Sequence, residues 1–373
     1  MNRKKLIAFS ISLAMTVVPV TPAAAAGAEQ NTEGLQNAVL DLEFENSLED
    51  SSGKGNNGTL SSGEAEYVDG VVGKGLKMNG SSYVNLGNST DLQPENLTLS
   101  FWIRPDSDMK GEELLSWNKN EWYTDGWYLS SENDNTPLTL SVGPAKANGQ
   151  PYRVSVSGKR SEFLPTGEWT HIAVTYDKDS KEICFYRNGV KCSTVTTYGI
   201  SGESTGVLGS DATMEKSIGY NGPKYKGAYR KASLDEYQLY NDVATPEEVI
   251  ALYEESGQTF DRKAVAQADL DKISIPETTQ ENLSLPTTGE SGSVISWSSD
   301  NEAVVAADGT VVRPGVGEKD VTVTLTAEAS YLNGEKVTKT YKVTVTAKQE
   351  INITTSSIMG DVTLEDDYLV NAA

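Results

Sequence analysis

The sequence predicts an all-β protein made of two successive sandwiches, and three observations predict it. Short segments of period two, separated by turn residues, recur from 35 to 257; only one convincing helix falls among them; and a second run of strict alternation follows a polar stretch. Leu40, Leu42 and Phe44 alternate with Asp41, Glu43 and Glu45, and Leu97, Leu99, Phe101 and Ile103 alternate with Thr98, Ser100, Trp102 and Arg104. Segments 138–142 and 152–157 continue the pattern. Side chains on a strand point alternately to the two faces, so each segment offers one apolar face to a core. Many short strands at this spacing make a sandwich or jelly roll rather than a helix-wrapped parallel sheet.

The centre of the first unit is 168–177, where Ile172, Val174 and Tyr176 alternate with His171, Ala173 and Thr175, followed by a hairpin over 183–195 that turns at Asn188-Gly189. That dipeptide is the strongest short-range hairpin signal. The helix closes the unit: Thr245 is its N-cap, Pro246 its first residue, Glu248 completes a capping box, and Val249, Ile250, Leu252 and Tyr253 form the apolar stripe before Gly257. Residues 256–271 turn polar and read as a linker. Beyond it, 295–300, 309–314, 321–327 and 341–345 alternate strictly, with threonines on the open face.

A length of 373 residues accommodates two or three domains. Residues 1–28 differ in kind: Arg3-Lys4-Lys5 precede an apolar run and small residues ending at Ala26 or Ala28. This is the pattern of a secretory signal peptide, cleaved near Ala26 or Ala28, and the expected location is extracellular. The apolar run is too short for a membrane anchor. With those three cations removed, the formal charge of −22 becomes −25. So acidic a surface repels nucleic acid and anionic lipid and suits neutral ligands or cations.

Several motifs together resemble laminin-G-like, concanavalin A-like jelly rolls. They are 50–58 (DSSGKGNNG), Gly73-Lys74-Gly75-Leu76, 99–103 (LSFWI), 169–173 (WTHIA), Tyr186-Arg187-Asn188-Gly189 and 234–241 (LDEYQLYN). The resemblance spans about 35–258. Residues 259–349 are similar to the small bacterial Ig-like domains found between modules of secreted carbohydrate-active enzymes. Residues 360–370 read as the opening of a helix capped by Thr363 and resemble the entry of β-L-arabinofuranosidase-type glycoside hydrolases, which implies that the tail 350–373 starts a catalytic domain beyond this chain. The expected function is therefore a non-catalytic, carbohydrate-binding accessory region of a secreted glycoside hydrolase directed at arabinose-containing polysaccharide. A protein-binding adhesion module is the alternative. A second alternative is a glycosidase that uses Asp41, Glu43 and Glu45, three carboxylates at alternate positions.

Candidate site residues follow. In 118–126, Trp122 and Tyr123 offer rings for stacking on sugars, and Asn120 and Asp125 offer partners for hydroxyls. Asp50 and Asn56 in a glycine-rich turn supply oxygens suited to Ca²⁺ or form a plain Asx turn; the family resemblance adds Asp235 and one structural Ca²⁺. His171 is the only histidine, which excludes paired-histidine chemistry, and it reads as a buried structural residue. Cys184 and Cys192 flank the hairpin turn. A two-residue loop separates their sulfurs and a three-residue loop with a bulge brings them together, so a disulfide and two free thiols both stay open. Leu285-Pro286-Thr287-Thr288-Gly289 copies a sortase signal but lacks the apolar span and basic tail that must follow one. Trp297 reads as the core tryptophan of the second domain.

Overall fold

The computed structural model describes residues 35, 38–106, 113–119, 126–143, 152–193, 195–198, 215–219, 231–353 and 368–372. The leader lies outside them. The first strands are β1 (Leu40–Leu42), β2 (Thr59–Leu60), β3 (Glu66–Asp69), β4 (Lys74–Asn79), β5 (Val84–Asn85) and β6 (Leu97–Pro105). Then come β7 (Glu113–Lys119), β8 (Gly126–Ser131), β9 (Thr139–Val142), β10 (Tyr152–Val156), a short helix α1 (Arg160–Phe163), β11 (Thr170–Tyr176), β12 (Ile183–Arg187), β13 (Val190–Lys191), β14 (Val195–Tyr198), β15 (Ser217–Ile218) and β16 (Lys231–Tyr240).

These strands form two sheets. Sheet A runs β13-β12-β11-β6-β16-β4-β3, with β1 also on β16; sheet B runs β14-β10-β9-β8-β7-β15-β5-β2. One apolar core lies between them, with Leu99, Phe101, Val174 and Phe185 from sheet A and Trp127, Leu129, Leu140 and Val154 from sheet B. The alternation read from the sequence supplies both faces of this core. Burying a side chain of this size stabilises by roughly 1.5–3 kcal/mol.

Helix α2 (Pro246–Glu255) forms with the cap expected of it: Thr245 Oγ1 accepts from Glu248 N, and the Glu248 carboxylate accepts from Thr245 N. Its Val249 packs on the outer face of sheet A with Ala173, Cys184, Tyr186 and Ala244. Residues 256–271 are not the linker the sequence suggested. Asp261 accepts from Ala264 N at 3.0 Å and starts α3 (Arg262–Lys272), whose carbonyl at Leu270 accepts from Lys339 Nζ and Tyr341 Oη.

The second domain is one four-stranded sheet in the order β17 (Thr278–Thr279), β20 (Val337–Val345), β19 (Val321–Ser330), β18 (Val294–Ser299). Its buried face carries Val323, Leu325, Ala327 and Ala329 and receives α3, while Thr322 and Thr324 are on the other face. Segment 309–314 contributes only an isolated bridge between Val305 and Val311, not the expected strand. Pro286 and Gly289 of the sortase-like motif serve this core: the Pro286 carbonyl accepts from Trp297 Nε1 at 2.8 Å, and a side chain at Gly289 would strike the Asp269 carboxylate.

The two domains share packing. Phe260 lies against the Asn188-Gly189 turn, where a Cβ on Gly189 would come within 2.7 Å of its ring, and it contacts Tyr253 of α2 and Tyr331 of the second domain. At the C-terminal end, β21 (Gln349–Ile353) pairs in parallel with β22 (Tyr368–Ala372). Of the helix expected over 360–370, residues 360–367 lie outside the described residues, and 368–370 are extended chain.

Candidate functional site

On β8, β9 and β10 the inward residues Trp127, Leu129, Leu140, Val142, Val154 and Val156 belong to the core. The outward ones are Tyr128, Ser130, Thr139, Ser141, Arg153 and Ser155. Register aligns them in rungs: Tyr128 faces Ser141 and Ser141 faces Arg153, and beside them Ser130 faces Thr139 and Thr139 faces Ser155. The first rung extends to Trp117 on β7 and Tyr198 on β14, and beyond Trp117 to Ser217 and Asn85. It thus crosses seven strands with polar or aromatic residues at every position.

This face is buried and incompletely paired. Ser130, Thr139, Ser141 and Ser155 are all buried. Thr139 and Ser155 bond each other at 2.7 Å, and Arg153 makes an ion pair with Glu132. The hydroxyls of Ser130 and Ser141 and the Nε of Arg153 have no hydrogen-bond partner among the described residues. A buried polar group left unpaired costs about 1–3 kcal/mol, so three on one face mark a surface that a hydroxyl-bearing ligand or ordered water would complete.

The other expected residues fall elsewhere. Asn120, Trp122, Tyr123 and Asp125 lie outside the described residues; they belong to the connection between β7 and β8, whose last paired residues are Lys119 and Gly126. Asp50 and Asn56 do meet. The Asp50 carboxylate accepts from the backbone N–H groups of Asp41, Ser52 and Asn56, each at 2.9 Å, and from the Ser52 hydroxyl at 2.8 Å. Burial alone would raise the Asp50 carboxyl, but these donors hold it below its ordinary value. Asp235 sits on another turn, accepting from Val71 N at 2.7 Å and Val72 N at 3.0 Å. Burial raises its pKa to about 6 despite those bonds. Oxygens directed at N–H and O–H donors do not offer the open lone pairs a hard cation requires. These residues do not fit a calcium ion, and among the described residues no cluster of three or more His, Cys, Asp or Glu is placed to hold a metal.

Asp41, Glu43 and Glu45 do not form the single carboxylate face that their spacing suggested. The strand ends at Leu42, and Phe44 takes a positive φ of 56°, which breaks the alternation. Asp41 is buried and receives Gln238 Nε2 at 3.4 Å, while the exposed Glu45 accepts from Lys74 N at 3.2 Å.

His171 is buried beneath α2, its ring tilted against Trp102 and Tyr253. Nε2 bonds Ser100 Oγ at 2.9 Å and Nδ1 has no partner, so the carboxylate that would complete a triad is missing among the described residues. Desolvation lowers its pKa to about 3, which keeps the ring neutral.

The hairpin uses the two-residue loop. Arg187 faces Val190 and Cys192 N donates to Phe185 O. Cys184 therefore lies on the outer face with Tyr186 and Cys192 packs toward the core, and both are free thiols. The disulfide left open by the sequence does not form.

Residues 78–250 match the family described as the concanavalin A-like lectin/glucanases superfamily, and residues 263–348 match the atrophied bacterial Ig domain. Residues 78–250 are thus a concanavalin A-like region and residues 263–348 a bacterial Ig-like one. A curated relative, the α-L-arabinofuranosidase of Bifidobacterium longum subsp. longum, is 36% identical over 126 residues. That match covers 27% of this chain and only 12% of the relative.

Among solved structures, the chain is similar to domain 4 of AbnA, a GH43 extracellular arabinanase from Geobacillus stearothermophilus, in complex with arabinotriose. Identity is 22%, coverage 59% of this chain and 99% of that one, and the TM-score 0.41. The binding domain of Paraclostridial Mosquitocidal Protein 1 aligns with 18% identity, 79% and 64% coverage and a TM-score of 0.45. The binding domain of botulinum neurotoxin DC in complex with rat synaptotagmin II aligns with 13% identity, 81% and 73% coverage and a TM-score of 0.45.

The concanavalin A-like match contains β8, β9 and β10 entire, and with them Tyr128, Ser141 and Arg153. Sequence reasoning identified these strands and missed their outer face. The signal was present in the alternation Leu138-Thr139-Leu140-Ser141-Val142, but serine and threonine on an outward face are ordinary until register shows them stacked beside an arginine.

Proposed function

We propose that the concanavalin A-like domain binds a neutral glycan on the outer face of sheet B and acts as a non-catalytic accessory region of a secreted, arabinose-directed glycoside hydrolase. The observation that carries this reading is the set of unpaired polar groups on Ser130, Ser141 and Arg153 along rungs that also hold Tyr128. Sugar hydroxyls donate and accept in turn, which matches adjacent hydroxyls and a guanidinium. The formal charge of −22 favours a neutral ligand over a polyanion at long range. Arabinose as the sugar class is supported by the relative named an α-L-arabinofuranosidase, and export by the leader at 1–28. Tethering of this kind raises the effective concentration of an attached enzyme at its polymer.

The test is a carbohydrate array with the protein, Ser141→Ala and Arg153→Gln, alongside Trp122→Ala. Binding to arabinan that falls at least ten-fold, about 1.4 kcal/mol, in Ser141→Ala and Arg153→Gln supports the outer face as the site. Loss only in Trp122→Ala moves the site to the β7–β8 connection. Arrays blank across plant and host glycans sink the reading.

A further inference from the structure

We propose a second ligand site, on the outer face of sheet A, where Arg104 and Trp169 take a carboxylate-bearing saccharide such as a uronic acid unit. The residues form one rung. Arg104 faces Ser233, Ser233 faces Lys77 and Lys77 faces Glu66, and Trp169 stands just before the β11 residue Thr170, which faces Ile103. The guanidinium lies over the Trp169 ring, 4.8 Å from its centroid. The far edge of the indole reaches β4 at Gly75. A Cβ there would sit 3.2 Å from Trp169 Cη2 and 2.8 Å from the Leu234 carbonyl, so the ring lies where only glycine leaves room. Arginine, indole and glycine together build a flat plate on the sheet.

Arg104 is also the cation of this rung that no carboxylate pairs directly; Asp69 acts on it only through the field. Lys77 is paired with Glu66 at 2.8 Å, and nearby Lys74 with Asp69 at 2.7 Å. Among the described residues, Arg104 makes one hydrogen bond, Nη2 to Ser233 Oγ at 3.3 Å, and no ion pair. Arg104 is half-buried. A guanidinium stacked on an aromatic ring keeps its in-plane N–H groups free, and their fork matches a carboxylate bidentately. The indole beside it offers an apolar face to a sugar ring. The net negative charge opposes a polyanion at long range, which limits the ligand to a short segment with one carboxylate against Arg104.

This site does not depend on the neutral-glycan face of sheet B, and calorimetric titration separates the two. The probes are oligogalacturonate, the same oligomer with its carboxylates reduced to alcohols, and a short aspartate peptide; the variants are Arg104→Gln, Arg104→Lys, Trp169→Phe and Ser141→Ala. We expect oligogalacturonate to bind, the reduced oligomer and the peptide to bind at least ten-fold more weakly, and Arg104→Gln to lose at least ten-fold. Arg104→Lys keeps the charge and loses the planar fork, so it too should lose several-fold, and Ser141→Ala should not change binding. If Arg104→Gln fails to fold, the indole resonance of Trp169 in the unmodified protein must shift on titration with oligogalacturonate. Equal binding of the reduced oligomer, equal binding of the peptide, full retention in Arg104→Lys, loss in Ser141→Ala or an unmoved Trp169 resonance would each overturn the proposal.

Discussion

The outer faces of the two sheets begin from the same kind of sequence and end differently. Both come from alternating strands, and both carry serine and threonine: Thr98, Ser100 and Thr175 on sheet A, and Ser130, Thr139 and Ser141 on sheet B. On sheet A, helix α2 closes over the central strands, and the buried hydroxyls of Thr98 and Ser100 find partners, while His171 Nδ1 does not. Ser100 bonds His171, and Thr98 Oγ1 donates to Asp242 O at 2.6 Å and accepts from Ala244 N at 2.8 Å. On sheet B the hydroxyls of Ser130 and Ser141 stay unpaired. Both sets of hydroxyls are buried, so the faces differ in whether a partner stands within hydrogen-bond reach among the described residues.

The largest expected effect probes the sealed face. Tyr186→Ala removes a ring that is 2% exposed beneath α2, and should destabilise by about 3–5 kcal/mol in urea denaturation, whereas Ser141→Ala on sheet B should stay within about 1 kcal/mol of the parent. A small loss in Tyr186→Ala would break the contrast between the faces.

A second, smaller effect is read by pH. His171 is held at a pKa of about 3 against an ordinary 6.5, so the folded state binds its proton less readily than the unfolded chain. Its contribution is whole above about pH 6.5 and is lost as pH falls toward 3, on the order of 4 kcal/mol in the limit. Asp235, raised to about 6, acts with the opposite sign, losing stability as pH rises from about 4 through 6. The difference between parent and His171→Gln isolates the histidine: the variant should lose less stability between pH 7 and pH 4. Identical pH slopes would show that α2 does not keep the ring dry.

The smallest effect concerns metal. Because the Asp50 and Asp235 oxygens accept protein donors, melting temperatures with a chelator and with added Ca²⁺ should agree within about 1 °C. A rise of several degrees with Ca²⁺ would show that these turns rearrange around the ion.

Much of the fold was legible in the residues. The alternation of Leu97 to Ile103 and of Ile172 to Tyr176 marked core strands, Asn188-Gly189 marked the hairpin, and Thr245-Pro246 with Glu248 marked α2. Helix α3 was not legible. Its face of Val265, Ala266 and Leu270 is narrow and its remaining residues are polar, so the helix is held by packing on the Ig-like sheet and by Lys339 and Tyr341 at its C-terminal carbonyl. The strand expected at 309–314 failed for the converse reason: its alternation is good, but it meets no partner strand, only the isolated bridge of Val311 to Val305.

The sequence alone determined the classes of the two domains, their order and the pairing face of each long strand, because those follow from local periodicity and turn chemistry. Tertiary structure decided what lies at a distance along the chain. It set the register that separates Cys184 from Cys192, the rung that aligns Tyr128, Ser141 and Arg153, and the meeting of Trp169 with Gly75 and Arg104. Hydrogen bonding between strands fixes register to one residue, and a slip of one residue would turn every one of these side chains to the opposite face.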